Sequence, residues 1–228
     1  PHLTGLSHGA SGCALALLEL WRATAESAYL QAAERAFAYE RSLFDPDAAN
    51  WPDLRAAAPA RSFAALWCHG AGGIALARLH AERLAAGAQA GAEARVALDT
   101  TARALAGELA QGGNFSLCHG LAGNAEILLH GHAELGAERD RDAELAFRAA
   151  DEGIERHAPG GAWPCGTFEG QTPGLFLGLA GIGRFYLRLH EPRLPSLLLA
   201  LPDQLGATRS PAGAGRSRGR RAARSAPA

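Results

Sequence analysis

The chain has 228 residues, 48% of them hydrophobic and 20% charged, with a formal net charge of −1 at pH 7. These proportions are typical of a globular protein with a sizeable core, and no uncharged apolar run is long enough to cross a membrane. Six arginines follow Ala207 without any acid, so the rest of the chain carries about −7 (−1 minus 6), which argues against nucleic-acid binding by the folded part.

The N-terminus, PHLTGLSHGA, has no initiator Met and none of the basic and apolar regions of a signal peptide. It enters a repeated motif within eight residues, so we expect the chain to be a fragment of a longer, cytoplasmic protein. The four cysteines are expected to stay reduced and available to a metal rather than to form disulfides; they stand at positions 13, 68, 118 and 165.

A repeat runs along the chain, and each copy opens an apolar stretch with helical periodicity. HGASG starts at His8, HGAGG at His69, HGLAG at His119 and LGLAG at Leu177. The apolar stretches that follow are CALALLELW, IALARLHAERL, NAEILLHGHAEL and IGRFYLRLH. Four buried helices that each begin at a pair of glycines are therefore predicted.

Other helical segments lie between these copies, near 28–43, 92–110 and 140–157, and carry one charged face. The alternation predicts an all-α fold with two layers arranged as a ring. The Gly-led helices form its inner layer, and their N-terminal ends gather on one side. Glycine there lets backbones approach closely. The alternative is a generic helical bundle or solenoid in which the glycines only form turns.

The chain ends with RLPSLLLALPDQLG, which is predicted to be a last packed segment, followed by low-complexity sequence rich in Arg, Ala and Gly. We therefore expect one domain over residues 1–206 and a disordered basic tail over 207–228.

Two short motifs place soft metal ligands at the start of predicted inner helices: Trp67-Cys68-His69-Gly70 and Ser116-Leu117-Cys118-His119-Gly120. Zinc favours thiolate and imidazole, and catalytic sites use three protein ligands with one open position. Cys68, Cys118 and His119 would form such a set. Spacing alone leaves open the alternative of buried structural cysteines.

These motifs resemble a known family. WCHG followed by SLCHG, with GLSHGASG upstream, is similar to the LanC-type lanthionine cyclases, and most similar to the C-terminal cyclase domain of the bifunctional LanM-type synthetases. YERSLFDPDAANWPDLR (39–55), PCG (164–166) and TPGLFLGLAGIGRFYLRL (172–189) match as well. The resemblance covers roughly residues 3–202. It implies an α/α toroid of seven inner and seven outer helices, of which this chain holds about the last four repeats.

The resemblance also implies the chemistry. The zinc ligands of the family fall on Cys68, Cys118 and His119; a proposed acid/base histidine falls on His8. His69 faces the site, where it either lines the cavity or takes part in catalysis. Such enzymes bind Zn²⁺ and add peptide cysteine thiols to dehydroalanine or dehydrobutyrine in a lanthipeptide precursor, and the LanM type carries an upstream dehydratase domain. Zinc lowers the pKa of a bound thiol, and a histidine can protonate the enolate.

Other residues are given structural roles. Cys13 is predicted to be a core residue and Cys165 a structural one. Asp53 and Arg55 are expected to pair in a loop, with the alternative that they reach the cavity. The remaining histidines are expected to be mostly solvated; they stand at positions 2, 80, 130, 132, 157 and 190.

Two further functions stay open at this stage. One is a degenerate relative that holds zinc and a peptide without catalysing addition, which loss of an upstream aspartate used by the family would favour. The other is an α/α-toroid enzyme of different chemistry. Such enzymes use acidic pairs in the cavity, either as catalytic carboxylates or as magnesium ligands, whereas the predicted helix starts offer His and Cys.

Overall fold

The computed structural model describes residues 2–55, 62–85, 88–167, 170–199 and 201. Its α-helices are α1 Ala10–Thr24, α2 Ser27–Arg41, α3 Ala71–Ala85, α4 Ala88–Gln111, α5 Leu121–Leu135, α6 Asp140–His157 and α7 Leu179–His190, and a short 3₁₀ helix, Gly136–Arg139, joins α5 to α6. In these ranges only isolated β-bridges form, and no strand. The predicted all-α class is confirmed.

The helices lie in two layers. α1, α3, α5 and α7 contact one another in chain order, and α2, α4 and α6 pack on α1, α3 and α5 respectively. The middle helices α3 and α5 are buried over most of their length, whereas α1 and α7 are partly exposed at the two edges. The outer helices occupy the three segments predicted from their charged faces. None of the described helices is long and apolar enough to span a membrane.

Each inner helix begins immediately after the first glycine of its pair, one turn earlier than its apolar stretch. In the part of the chain that the structure describes, no side chain caps α1, α5 or α7. Instead, the first helical N–H of each inner helix donates to a backbone carbonyl seven positions upstream, in the pairs Ala10–Leu3 (2.9 Å), Ala71–Ala64 (3.3 Å), Leu121–Asn114 (2.8 Å) and Leu179–Thr172 (2.8 Å). The preceding loop therefore satisfies an N–H that an α-helix leaves unpaired.

The second glycine of each pair is required because that same loop crosses the first helical turn. A Cβ at these positions would lie within 1.9–2.1 Å of a carbonyl oxygen six residues upstream, at Gly12 (Leu6), Gly73 (Trp67), Gly123 (Leu117) and Gly181 (Leu175). Real side chains never approach that closely. The glycines thus maintain a repeated loop-on-helix contact, which a generic bundle with glycine turns would not need.

We call the start of each inner helix, with the loop before it, a mouth, and the four mouths contact one another. The rings of His8 and His69 stack at 4.8 Å between the first and second mouths. Trp67 stacks on Phe176 at 4.6 Å, which joins the second mouth to the fourth. The N–H of Cys118 in the third mouth donates to the Phe176 carbonyl at 2.9 Å. The predicted gathering of the mouths is observed.

The described segment after α7 packs back onto the inner layer, as predicted for RLPSLLL. Ser196 Oγ donates to the buried Glu126 carboxylate on α5 at 2.9 Å, and Trp67 Nε1 donates to the Leu198 carbonyl at 2.9 Å. The boundary expected at residues 206–207 and the tail over 207–228 lie outside the described residues.

Candidate functional site

The thiols of Cys68 and Cys118 meet at the adjacent mouths of α3 and α5. Both cysteines are free of disulfides. The neighbouring Cys118 thiol is the main reason that the pKa of Cys68 falls to about 7. The neighbouring Cys68 thiol, together with burial, raises the pKa of Cys118. The pair therefore releases its first proton more easily than an ordinary thiol and its second with more difficulty.

His119 follows Cys118, and its ring is held by a backbone carbonyl. Nε2 lies 3.0 Å from the Gly166 carbonyl oxygen. Because a carbonyl oxygen can only accept, Nε2 carries the proton of the neutral ring and Nδ1 keeps its lone pair. Metal-binding histidines are commonly fixed by such a bond from the second ring nitrogen. This contact needs glycine, since a Cβ at Gly166 would lie 2.7 Å from Nε2.

The donor set fits a soft metal in its chemistry, with two neighbouring sulfurs and an imidazole oriented through its other nitrogen. Within the ranges that the structure describes, however, no three His, Cys, Asp or Glu side chains stand close enough together to form a complete metal site. The ligand set of Cys68, Cys118 and His119 thus stays a prediction. Its two thiols are neighbours in the structure, and His119 directly follows Cys118 in the sequence.

Asp53 and Arg55 pair with each other, as expected, and the Arg55 charge acts on the two thiols. Arg55 donates from Nε and Nη2 to the Asp53 carboxylate at 3.0 Å and 2.6 Å, which lowers the pKa of Asp53 to about 2. The Arg55 charge acts on Cys68, Cys118 and His69. Of the two alternatives, the loop pair is confirmed, and a position of these side chains in the cavity stays a prediction.

His8 and His69 stand in different environments although their rings stack. His69 is buried, with 1% of its surface exposed, and its Nε2 has no hydrogen-bond partner among the described residues. Burial and the nearby Arg55 charge lower the pKa of His69, so this ring is neutral near pH 7. His8 is exposed and lines a cavity of about 520 Å³ with Cys13, Arg35 and Tyr39. Of the two rings, His8 is the one accessible to a ligand.

A buried ion network that was not predicted from the sequence supports the first mouth. Glu40 and Arg78 are fully buried and bond to each other at 3.0 Å. Glu40 also accepts from Ser11 Oγ and, at 2.7 Å, from the Gly5 N–H. Gly5 is in the left-handed region at φ +97°, and a Cβ there would lie 3.0 Å from the Cys68 carbonyl. The Y-E-R motif at 39–41 was the available signal.

Two structural predictions are wrong. Cys13 is exposed rather than in the core, because it lies on the free edge of α1. His80 and His130 are largely buried rather than solvated, since they lie on the middle helices α3 and α5. Cys165 is buried next to Gly166, in keeping with its expected structural role.

Comparison with known proteins settles the family. The family described as "Lanthionine synthetase C-like protein" matches residues 1–199. The chain belongs to the lanthionine synthetase C-like family. No curated protein sequence matches it significantly. Among solved structures, the lanthionine synthetase C-like chain is similar to nisin cyclase, with 17% sequence identity and a TM-score of 0.62.

The superposition covers 90% of this chain and 50% of nisin cyclase, so the chain spans half the length of that structure. At this identity the likeness concerns the fold, which is that of an α/α toroid, as predicted. The number of repeats in a complete ring stays a prediction. The roles assigned to Cys68, Cys118, His119, His8 and His69 stay predictions as well.

Proposed function

We propose that the chain is part of a zinc-dependent lanthionine cyclase domain and carries most of the residues of its active site. The observation that carries the proposal is the pair of contacting thiols, Cys68 and Cys118, which adjacent repeats contribute beside His119. Its substrate is a dehydrated lanthipeptide precursor. The motifs at 39–55 and 172–189 favour the LanM type, with an upstream dehydratase domain, and the expected cytoplasmic location remains a prediction.

Cys68, Cys118 and the Nδ1 atom of His119 would hold the zinc ion. When bound, zinc lowers the pKa of a substrate cysteine thiol, so that the thiolate is available at neutral pH. The Gly166 carbonyl keeps the His119 proton on Nε2 and so leaves Nδ1 free as a donor. Thiolate and imidazole ligands with an open fourth position suit this role.

His8 is proposed to be the general acid that protonates Cα of the enolate after the thiol has added. Its exposed ring can reach a peptide bound at the mouths, whereas the buried His69 supports it from behind through the stacking contact at 4.8 Å. Because His69 is neutral near pH 7, its imidazole adds no positive charge next to the His8 ring. A histidine that is not a ligand is free to exchange protons.

The test has two measurements on the purified chain. Elemental analysis gives its zinc content, and alkylation followed by mass spectrometry counts free thiols in synthetic peptides that carry one dehydroalanine and one cysteine at varied spacing. We expect bound zinc and loss of the peptide thiol above the uncatalysed rate. Zinc without thiol addition would identify a binding member of the family instead. A chain that binds no zinc would overturn the proposal.

A further inference from the structure

The segment 50–55 is fixed across the gap between the first and second mouths. Thr4 Oγ1 donates to the Pro52 carbonyl at 2.7 Å, and the Asp53 N–H donates to the Ser62 carbonyl at 2.8 Å. Asn50 Nδ2 donates to the Ala64 carbonyl at 3.0 Å, while the neighbouring Trp51 is 1% exposed. The backbone that carries Asp53 and Arg55 is thus attached to the loops of both His8 and Cys68.

Arg55 is oriented on that backbone by its fork to Asp53. Nε lies 3.0 Å and 3.1 Å from the two carboxylate oxygens, and Nη2 lies 2.6 Å from one of them. The Asp53 side chain is 13% exposed, whereas that of Arg55 is 52% exposed. Nη1 forms no hydrogen bond with the described residues, so a preorganised donor of fixed direction is open to a ligand.

The Arg55 guanidinium lies within electrostatic range of the groups that would bind a substrate thiol. Its charge acts on both Cys68 and Cys118 and on His69. We infer that Arg55 binds the carbonyl oxygen of the dehydroalanine or dehydrobutyrine residue through Nη1 and stabilises the negative charge that develops there. Asp53 is then a positioning residue, which holds the guanidinium towards the mouths. The inference rests on the proposed cyclase function.

The step balances without any further reagent. The substrate thiol first transfers its proton to His8, and its sulfur then forms a bond to Cβ of the dehydro residue. The π-electron pair of the C=C bond moves towards the carbonyl and gives an enolate, whose oxygen carries the negative charge beside Arg55. A proton delivered by His8 to Cα restores the C=O bond. The product contains the same atoms as the starting peptide, and nothing is oxidised or reduced.

Removal of the guanidinium tests the inference, with a second arginine as control. Arg193 forms the same fork to an acid two residues earlier, Glu191, at 2.8 Å and 3.0 Å, but lies beyond the far end of α7. With the synthetic dehydroalanine peptides described above, and free thiols counted by alkylation and mass spectrometry, we expect Arg55→Ala to lower kcat by roughly 10²–10³. Loss of an oxyanion donor has an effect of this size. KM should change only a few-fold. Arg193→Ala should leave kcat unchanged.

Two further variants separate positioning from chemistry. Arg55→Lys keeps the charge without the planar fork, so it should restore part of the kcat lost in Arg55→Ala. Asp53→Asn should lower kcat by a smaller factor with unchanged zinc content, because the guanidinium remains but loses its orientation. A rise in KM alone, with kcat intact, would make Arg55 a binding residue and overturn the oxyanion role.

The outcomes distinguish this inference from the cyclase proposal beneath it. If the unaltered chain binds no zinc or adds no thiol, the proposed function fails, and the role of Arg55 fails with it. If the unaltered chain is active and Arg55→Ala matches Arg193→Ala in kcat, only the inference fails. Zinc content should stay equal in all these variants. Loss of zinc in Arg55→Ala would show that the guanidinium maintains the structure of the zinc site, and it would overturn the oxyanion role.

Discussion

The two ends of the inner helices carry the same residue type in opposite circumstances. At the mouths, His8 is exposed and His119 is held by a backbone carbonyl, and both precede a glycine that starts a helix. At the far ends, His80 and His130 lie in the closing turns of α3 and α5 and are largely enclosed by neighbouring helices. Composition alone treats these histidines as equivalent.

The comparison shows that the mouth scaffold, rather than the histidine itself, makes the candidate site. Every mouth has the same carbonyl-to-N–H bond and the same glycine contact, yet only the second and third have a cysteine two positions before the first glycine. Towards the far end of α3, His80 instead pairs with Glu19 at 2.7 Å. The glycines build the position, and the two residues before them supply its chemistry.

Removal of both thiols should abolish zinc binding at the second and third mouths. In Cys68→Ala/Cys118→Ala we expect bound zinc to fall from about one ion per chain to none, since two of three ligands are lost. Elemental analysis of the purified protein measures it. Cys165→Ala is the matched control, because Cys165 is also buried and free. If the double variant still binds stoichiometric zinc, the site lies elsewhere, with Cys165 as the first candidate.

His8→Asn tests whether a mouth histidine without a cysteine acts in proton transfer. We expect unchanged zinc content and cyclisation slower by roughly 10²–10⁴, the usual contribution of a general acid or base. The time course of free peptide thiols gives the rate. An unaltered rate would remove His8 from the mechanism and make His69 the next candidate. Loss of zinc would instead make His8 a ligand.

The glycine scaffold can be tested within a single helix. A Cβ at Gly181 would lie 1.9 Å from the Leu175 carbonyl oxygen, whereas a Cβ at Gly183 meets no atom within 4 Å. Gly181→Ala should therefore lower the free energy of unfolding by about 3 kcal/mol, at the upper end for overpacking. Gly183→Ala should raise it by about 0.5–1 kcal/mol, because alanine favours the helix. Urea denaturation measures both, and equal effects would contradict the scaffold.

The buried His130 near the far end of α5 should make the free energy of unfolding depend on pH. Burial lowers the pKa of His130 to about 4, with a further contribution from Arg188, Arg83 and His80. Because the folded-state pKa is depressed, the stabilisation is complete above the unfolded pKa of 6.5 and is lost as the pH falls towards 4.

Between about pH 7.5 and about pH 5 the unaltered chain should lose roughly 2 kcal/mol more stability than His130→Gln. Denaturant titrations of both proteins across this range measure the difference. His132→Gln is the control, since His132 is 38% exposed on the same helix. Parallel curves for the unaltered chain and His130→Gln would show that His130 is solvated in solution.

Much of the fold could be predicted because its signals are local. Helix periodicity and glycine pairs depend on residues within one or two turns, and they gave the inner helices, the outer helices and the shared direction of the mouths. Cys68, Cys118 and His119 were selected as candidate ligands because they lie within two residues before a repeated glycine. Their predicted roles came from the resemblance to the LanC type, because a short sequence pattern alone does not specify what a residue does.

Only the tertiary structure decided which side chains meet. Contact between the Cys68 and Cys118 thiols requires that α3 and α5 be adjacent with their mouths level, and the Gly166 contact of His119 depends on a loop from the next repeat. The position of Arg55 depends on bonds to residues 4 and 62. Burial of His80 and exposure of Cys13 follow from which helices lie in the middle and at the edge. These properties are set by packing between distant segments, and a local sequence pattern does not encode them.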